Sequence, residues 1–256
     1  MQRSLFLNVL VIPWLAFAPG CSAAIDAETA SRFQSAESAF AAAKSEQDFL
    51  AVAGQYQQIL DSGFCSGAIL YNQGNAFLKA KQPGRAIAAY QQAKRYRPND
   101  PLLDSNLRTA FRQTGIEPTN SILSRLLFWQ NWISYGGKFV WTTVLLLTAI
   151  VCWFLARIVG RPYLRRIEIA ATALTILALL STGYDWYRFE FIQHGVVVID
   201  QVVARKGAAE SNDPAFTEAL PEGTQCVVTE TVADWHHITI VNAGNGWVPK
   251  SSLVTY

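Results

Sequence analysis

The stretch Tyr71 to Ala93, YNQGNAFLKAKQPGRAIAAYQQA, decides how this chain is read. Its apolar residues recur at three- and four-residue spacing on both sides of Pro83-Gly84. That pattern predicts two short amphipathic helices joined by a turn. Comparison with the flanking sequence shows that the hairpin is one unit of a repeat. Tyr56-Gln57-Gln58 returns as Tyr90-Gln91-Gln92, and Asn75-Ala76-Phe77 is echoed by Thr109-Ala110-Phe111, each time 34 residues later. Asn72 is matched by Asn106 at the same offset. A fixed period of this size marks an array in which each unit buries its apolar face on the next.

Within that period the sequence resembles the tetratricopeptide (TPR) repeat family. Leu70, Gly74 and Phe77 fall at its first-helix signature positions, Ala86, Tyr90 and Ala93 at its second-helix positions, and Pro98 closes the unit. Gly74 and Ala86 are small where two helices cross, Phe77 and Tyr90 fill space between neighbours, and a proline ring cannot continue a helix. Gln73 stands where the family has leucine, which weakens that contact. The preceding copy keeps Ala36, Ala39, Tyr56 and Ile59 but has no glycine in its first helix. The following copy, Pro101 to about Gly115, is a single helix that reads as a cap. Residues 27–117 are therefore expected to form a TPR domain. With fewer than about three repeats, it is expected to lean on the membrane-proximal segment or on a partner.

The same resemblance implies a concave, peptide-receiving face at Ala68, Tyr71, Asn75 and Leu78. Asn75 coincides with the asparagine of carboxylate-clamp repeats, but Ser105 and Thr109 stand where a clamp needs lysine. A structural role is assigned to Asn75 instead.

Charged residues make up only 16% of the 256 residues, and the net charge is +2. The low charge points to membrane-embedded sequence, and the small net value argues against nucleic acid as a partner. Residues 1–24 have the layout of a signal peptide, with Arg3 ahead of an apolar run and small residues after it. Two processing readings stand: cleavage before Ile25, or lipidation of Cys21. Residues 139–159 and 167–187 are each long and apolar enough to cross about 30 Å of hydrocarbon. Residues 118–138, rich in aromatics, suit a linker at headgroup level. Arg157, Arg161, Arg165 and Arg166 cluster around the connection 160–166, against Lys138 and Arg188 outside. The positive-inside rule puts that connection in the cytoplasm and both flanking parts on the exported side of a bacterial inner membrane.

From residue 192 to 256 the periodicity becomes that of strands: GVVVIDQVVARKGA, TQCVVTETVA, DWHHITIV and GNGWVPKSSLVTY. This part is similar to bacterial SH3 domains, which implies a small barrel with Trp235 and Trp247 in its core or groove. Packing is the favoured role for Trp247, because a small barrel must bury its large aromatics. The fold class expected is thus a multidomain membrane protein: all-α TPR hairpins, two transmembrane helices and a small all-β SH3-like barrel.

The four cysteines lie in no CxxC or Cys/His cluster, and His236-His237 point to opposite sides of a strand. No metal, cofactor or disulfide is expected within one part. No GxSxG or HExxH motif occurs, and no enzymatic activity is expected. The whole order is similar to the BatE-like proteins of Bacteroides aerotolerance (Bat) operons. That resemblance implies an envelope adaptor working with Bat-type membrane proteins that carry von Willebrand A domains, and with a MoxR-type ATPase inside the cell. The alternative is a cell-wall sensor whose barrel binds peptidoglycan.

Overall fold

Serine, aspartate and proline punctuate the helical part, and each sets a helix start. Asp26 accepts a hydrogen bond from the Thr29 amide, and Ser66 from Ile69. Ser45 and Asp48 form a reciprocal capping box. Asp100 accepts from the amides of Leu102 and Leu103. Such caps satisfy amides that the first turn leaves without partners. The computed structural model describes residues 26–117 and 128–256. The expected signal peptide, Cys21 and residues 118–127 of the expected linker lie outside the described residues.

Four of the five helices follow these caps and the fourth begins at Pro83: α1 (Ala27–Ala42), α2 (Glu46–Asp61), α3 (Gly67–Lys79), α4 (Pro83–Lys94) and α5 (Pro101–Thr114). Each packs on the next in chain order. Two apolar clusters hold them. Ala36, Val52, Ala53, Tyr56, Ile59, Ile69 and Ala76 tie α1 to α3. Leu70, Ala86, Ile87, Tyr90, Ala93, Leu103, Leu107 and Phe111 tie α3 to α5. Phe77 packs against both clusters and so joins neighbouring hairpins. Burying one such Ile or Leu side chain contributes roughly 1.5–3 kcal/mol.

Gln73 does not weaken its contact in the way its side chain suggests. It is buried, and its amide donates to Gln57 Oε1 at 2.8 Å and to the Ala53 carbonyl at 3.5 Å. A satisfied buried amide takes the place of the expected leucine.

After a 3-10 turn at Phe128–Asn131 come α6 (Tyr135–Val159) and α7 (Pro162–Glu190), antiparallel and in mutual contact. Both are long and apolar enough to cross a membrane, with mean hydropathies of 2.2 and 1.5 over their best windows. They extend past the expected spans. Ser134 caps α6 four residues earlier than the apolar count begins, by accepting from the Gly137 amide. The expected connection 160–166 shrinks to Gly160 and Arg161: Gly160 adopts φ +67°, and Pro162 starts α7. Proline is pre-organised for that first helical position.

The C-terminal part is one antiparallel sheet, in the order β4-β3-β2-β1-β5. Its strands are β1 (Gln193–Val197), β2 (Gln225–Val232), β3 (Trp235–Ile240), β4 (Gly244–Pro249) and β5 (Leu253–Thr255). Two of the four expected β runs differ. The first forms only β1 and then leaves as a loop stitched by isolated bridges at Val202 and Arg205. The last is split into β4 and β5 by a turn at Lys250–Ser252. The core of the sheet is aliphatic, built from Val197, Val202, Ala204, Leu220, Val228, Ile238, Val248 and Leu253 around Cys226. Trp235 and Trp247, expected in the core or groove, are half-buried and stand outside that aliphatic cluster. Short aliphatic side chains fill so small an interior without them.

Alternation along β1 has a larger consequence. Val197 points into the sheet core while Val196, fully buried, belongs to the α3–α5 cluster, with Val254 and Tyr256 packed beside it. The helices and the sheet, read as separate parts in the sequence, share apolar contacts across this strand.

Candidate functional site

The four residues of the expected concave face lie on α3. Ala68 is exposed, whereas Tyr71, Asn75 and Leu78 are half-buried. Tyr71 and Leu78 pack against the α3–α5 cluster. Asn75 Oδ1 accepts from Tyr90 Oη at 2.7 Å and from Asn106 Nδ2 at 2.8 Å, and Asn106 also donates to Tyr71 Oη at 3.1 Å. Three helices thus meet in one small polar network, and Asn75 is engaged inside the protein. Burial pushes the Tyr90 hydroxyl well above its ordinary pKa, so it stays a neutral donor. Gly74 explains why the ring fits: a Cβ there would lie 2.5 Å from Tyr90 Cε1. Leu70, Ala86 and Ala93 are buried around it, and Pro98 stands in the turn after α4.

On the sheet, Trp247 packs against His237 with ring centroids 5.0 Å apart. His237 and His236 hydrogen-bond Thr229 and Thr231 respectively, at 2.7 and 2.8 Å. The two imidazoles are therefore held by separate threonines across the β2–β3 pair. Arg157, Arg161, Arg165 and Arg166 are exposed at the tip of the α6–α7 hairpin, with Arg157 over the Trp153 ring.

The opposite end of that hairpin carries a junction that sequence reasoning did not find. The Tyr135 amide donates to the Arg95 carbonyl at 3.1 Å. The Arg95 guanidinium lies 4.5 Å from the Tyr135 ring centroid and 5.0 Å from that of Phe189, and it is ion-paired with Glu190. Asn99 Nδ2 donates to the Trp132 carbonyl at 3.3 Å. The end of α4 and the following turn are thereby fastened to the apolar hairpin of α6 and α7.

One turn further along the hairpin, Lys138 and Asp185 form a buried ion pair, and Gln130 Oε1 accepts from Lys138 Nζ and Ser181 Oγ. Below it, the hydroxyls of Thr142 and Thr182 are 2.9 Å apart. An ion pair between apolar helices costs desolvation, and its hydrogen-bonded partners offset that cost. A sequence signal existed: Lys138 and Asp185 stand at similar chain distances from the Gly160-Arg161 turn, so an antiparallel hairpin puts them side by side.

The sheet is fastened as well. Glu222 Oε1 accepts from the Gly84 amide at 2.8 Å, at the open N-terminus of α4. Burial raises the Glu222 carboxyl above its ordinary pKa, while the Gly84 amide pulls the other way. Across the described residues the helical stack and the sheet are braced on the hairpin of two long apolar helices, and there is no group of three or more metal-ligating side chains. No protein-family model, curated protein or solved structure matches the chain.

Proposed function

We propose that this chain is a BatE-like adaptor of the bacterial envelope. In this reading a TPR-type stack and an SH3-like barrel stand together on the exported side of the inner membrane. They gather protein partners, Bat-type membrane proteins with von Willebrand A domains among them. One observation carries the reading. Helices and sheet share contacts across Val196, and the resulting body is tied through Arg95 to the ends of both apolar helices. A body held at fixed attitude to the membrane suits the docking of neighbours in the same bilayer. The 34-residue offset and the chain-order packing of α1 to α5 support the TPR reading. The exposed arginines at the hairpin tip support a cytoplasmic turn. Pairing of Lys138 with Asp185 leaves Arg188 as the main competing outer charge.

The test is affinity capture of the tagged full-length chain from a detergent extract. Recovery of membrane proteins with von Willebrand A domains is expected, and capture of no membrane protein by intact chain defeats the proposal. The half-exposed Trp235 and Trp247 favour a second reading, in which the sheet grips peptidoglycan. Co-sedimentation of the detergent-solubilised chain with purified cell wall, lost on Trp247→Ala, would select it.

A further inference from the structure

The turn between α4 and α5 carries an apolar corner that the stack does not use for its own packing. Leu103 is fully buried in the helical cluster, whereas its neighbour Leu102 is 63% exposed. Leu102 lies three residues past Asn99, whose side chain holds the Trp132 carbonyl. Trp132 is itself 66% exposed, and Ile133 beside it 40%. On the other helix, Tyr187 and Phe191 stack at 5.9 Å with both rings largely exposed. Three of the basic residues around this corner are matched within the protein, Lys94 with Asp104, Arg95 with Glu190 and Arg97 with Asp100, while Arg188 is exposed over the Phe189 ring. Apart from Arg188, what remains outward in Leu102, Trp132, Ile133, Tyr187 and Phe191 is apolar and aromatic.

We infer that this corner of the helical stack, Leu102 together with Trp132 and Ile133, is a membrane-contact element seated in the headgroup and upper acyl layer of the bilayer. The inference rests on the reading that α6 and α7 cross the membrane. Chain continuity commits the occupant to lipid. Trp132 is three residues before α6, and the exposed surface runs on from it through Val140, Trp141 and Val144. Tryptophan, tyrosine and phenylalanine beside leucine form the side-chain set that a lipid–water boundary accepts. The stack therefore lies down on the bilayer by its α4–α5 end, and the free end at α1 points away.

Photo-crosslinking of the full chain in phosphatidylcholine vesicles tests this. A benzophenone amino acid is placed singly at Leu102, at Trp132, at Val144 within α6, and at Ser35 on α1, and lipid adducts are read by mass spectrometry. Adducts are expected at positions 102, 132 and 144, and none at 35. An adduct at 144 with none at 102 or 132, or equal adducts at 102 and 35, overturns the inference while leaving the crossing intact. Absence of adduct at 144 in folded protein overturns the crossing itself, and this inference with it.

Discussion

Replacing Gly74 by alanine sets two known effects against each other at one atom. A methyl group at this position would lie 2.5 and 2.6 Å from Cε1 and Cδ1 of Tyr90, a ring with no exposed surface and a hydroxyl held by Asn75. Forcing volume into a packed interior costs about 1–3 kcal/mol, and displacing the ring from Asn75 about 1 more. Alanine in place of glycine within a helix returns about 1 kcal/mol. The net expectation for Gly74→Ala is a loss of about 2 kcal/mol. Pulse proteolysis of the full chain across a urea series reads this as a midpoint lowered by about 1 M, given slopes of about 1–3 kcal/mol per M. The decisive comparison is made in a Tyr90→Leu background, where the ring is gone. There the same Gly74→Ala change should become neutral or mildly stabilising. An equal cost in both backgrounds would refute the close crossing as the reason for glycine.

Lys138→Met leaves Asp185 buried without its counter-charge and should weaken the hairpin by about 3–5 kcal/mol. Adding Asp185→Leu should recover much of that loss, measured as protease resistance of the α6–α7 fragment in detergent. Cys226 is 5% exposed, and burial pushes its thiol pKa up to about 12, so maleimide at neutral pH should spare it and label it only after urea. Burial first, and then the charge of Arg188, holds the His194 imidazole below its ordinary pKa, so folding favours its neutral form. Stability at the β1–β5 joint should therefore fall as pH drops below about 6.5, the ordinary imidazole value, toward the lower folded one. The protection factor of the Tyr256 amide, bonded to the His194 carbonyl and corrected for the intrinsic pH dependence of exchange, should fall over that window in the wild type and stay flat in His194→Gln.

Helix positions were legible in the sequence because their causes are local. The apolar spacing on both sides of Pro83-Gly84 exposes the hairpin, and the 34-residue echo of Tyr56 in Tyr90 exposes the period. The spans were legible from hydropathy, although Ser134 and Pro162 carry both helices beyond the uncharged run. What escaped depends on partners far along the chain. Gln73 looks like a poor core residue until Gln57 and the Ala53 carbonyl are brought to it. Lys138 counts as a flanking charge until α7 returns with Asp185. Arg95 looks like an ordinary basic C-terminus of α4, and only the fold supplies Tyr135, Phe189 and Glu190 around it. The two tryptophans of the sheet stand beside a core that Val197, Ile238 and Val248 help fill, and only the pairing of β3 with β4 brings His237 against Trp247.

The strand that feeds Val196 one way and Val197 the other has a consequence for how the chain can be divided. The hairpin that interrupts the body of helices and sheet turns at Gly160-Arg161, and the pieces before and after it each bring part of a common interior. Two polypeptides produced separately, one ending at 160 and the other beginning at 161, should find each other in the same membrane and rebuild the body, whereas either piece made alone would be left with an unfinished surface.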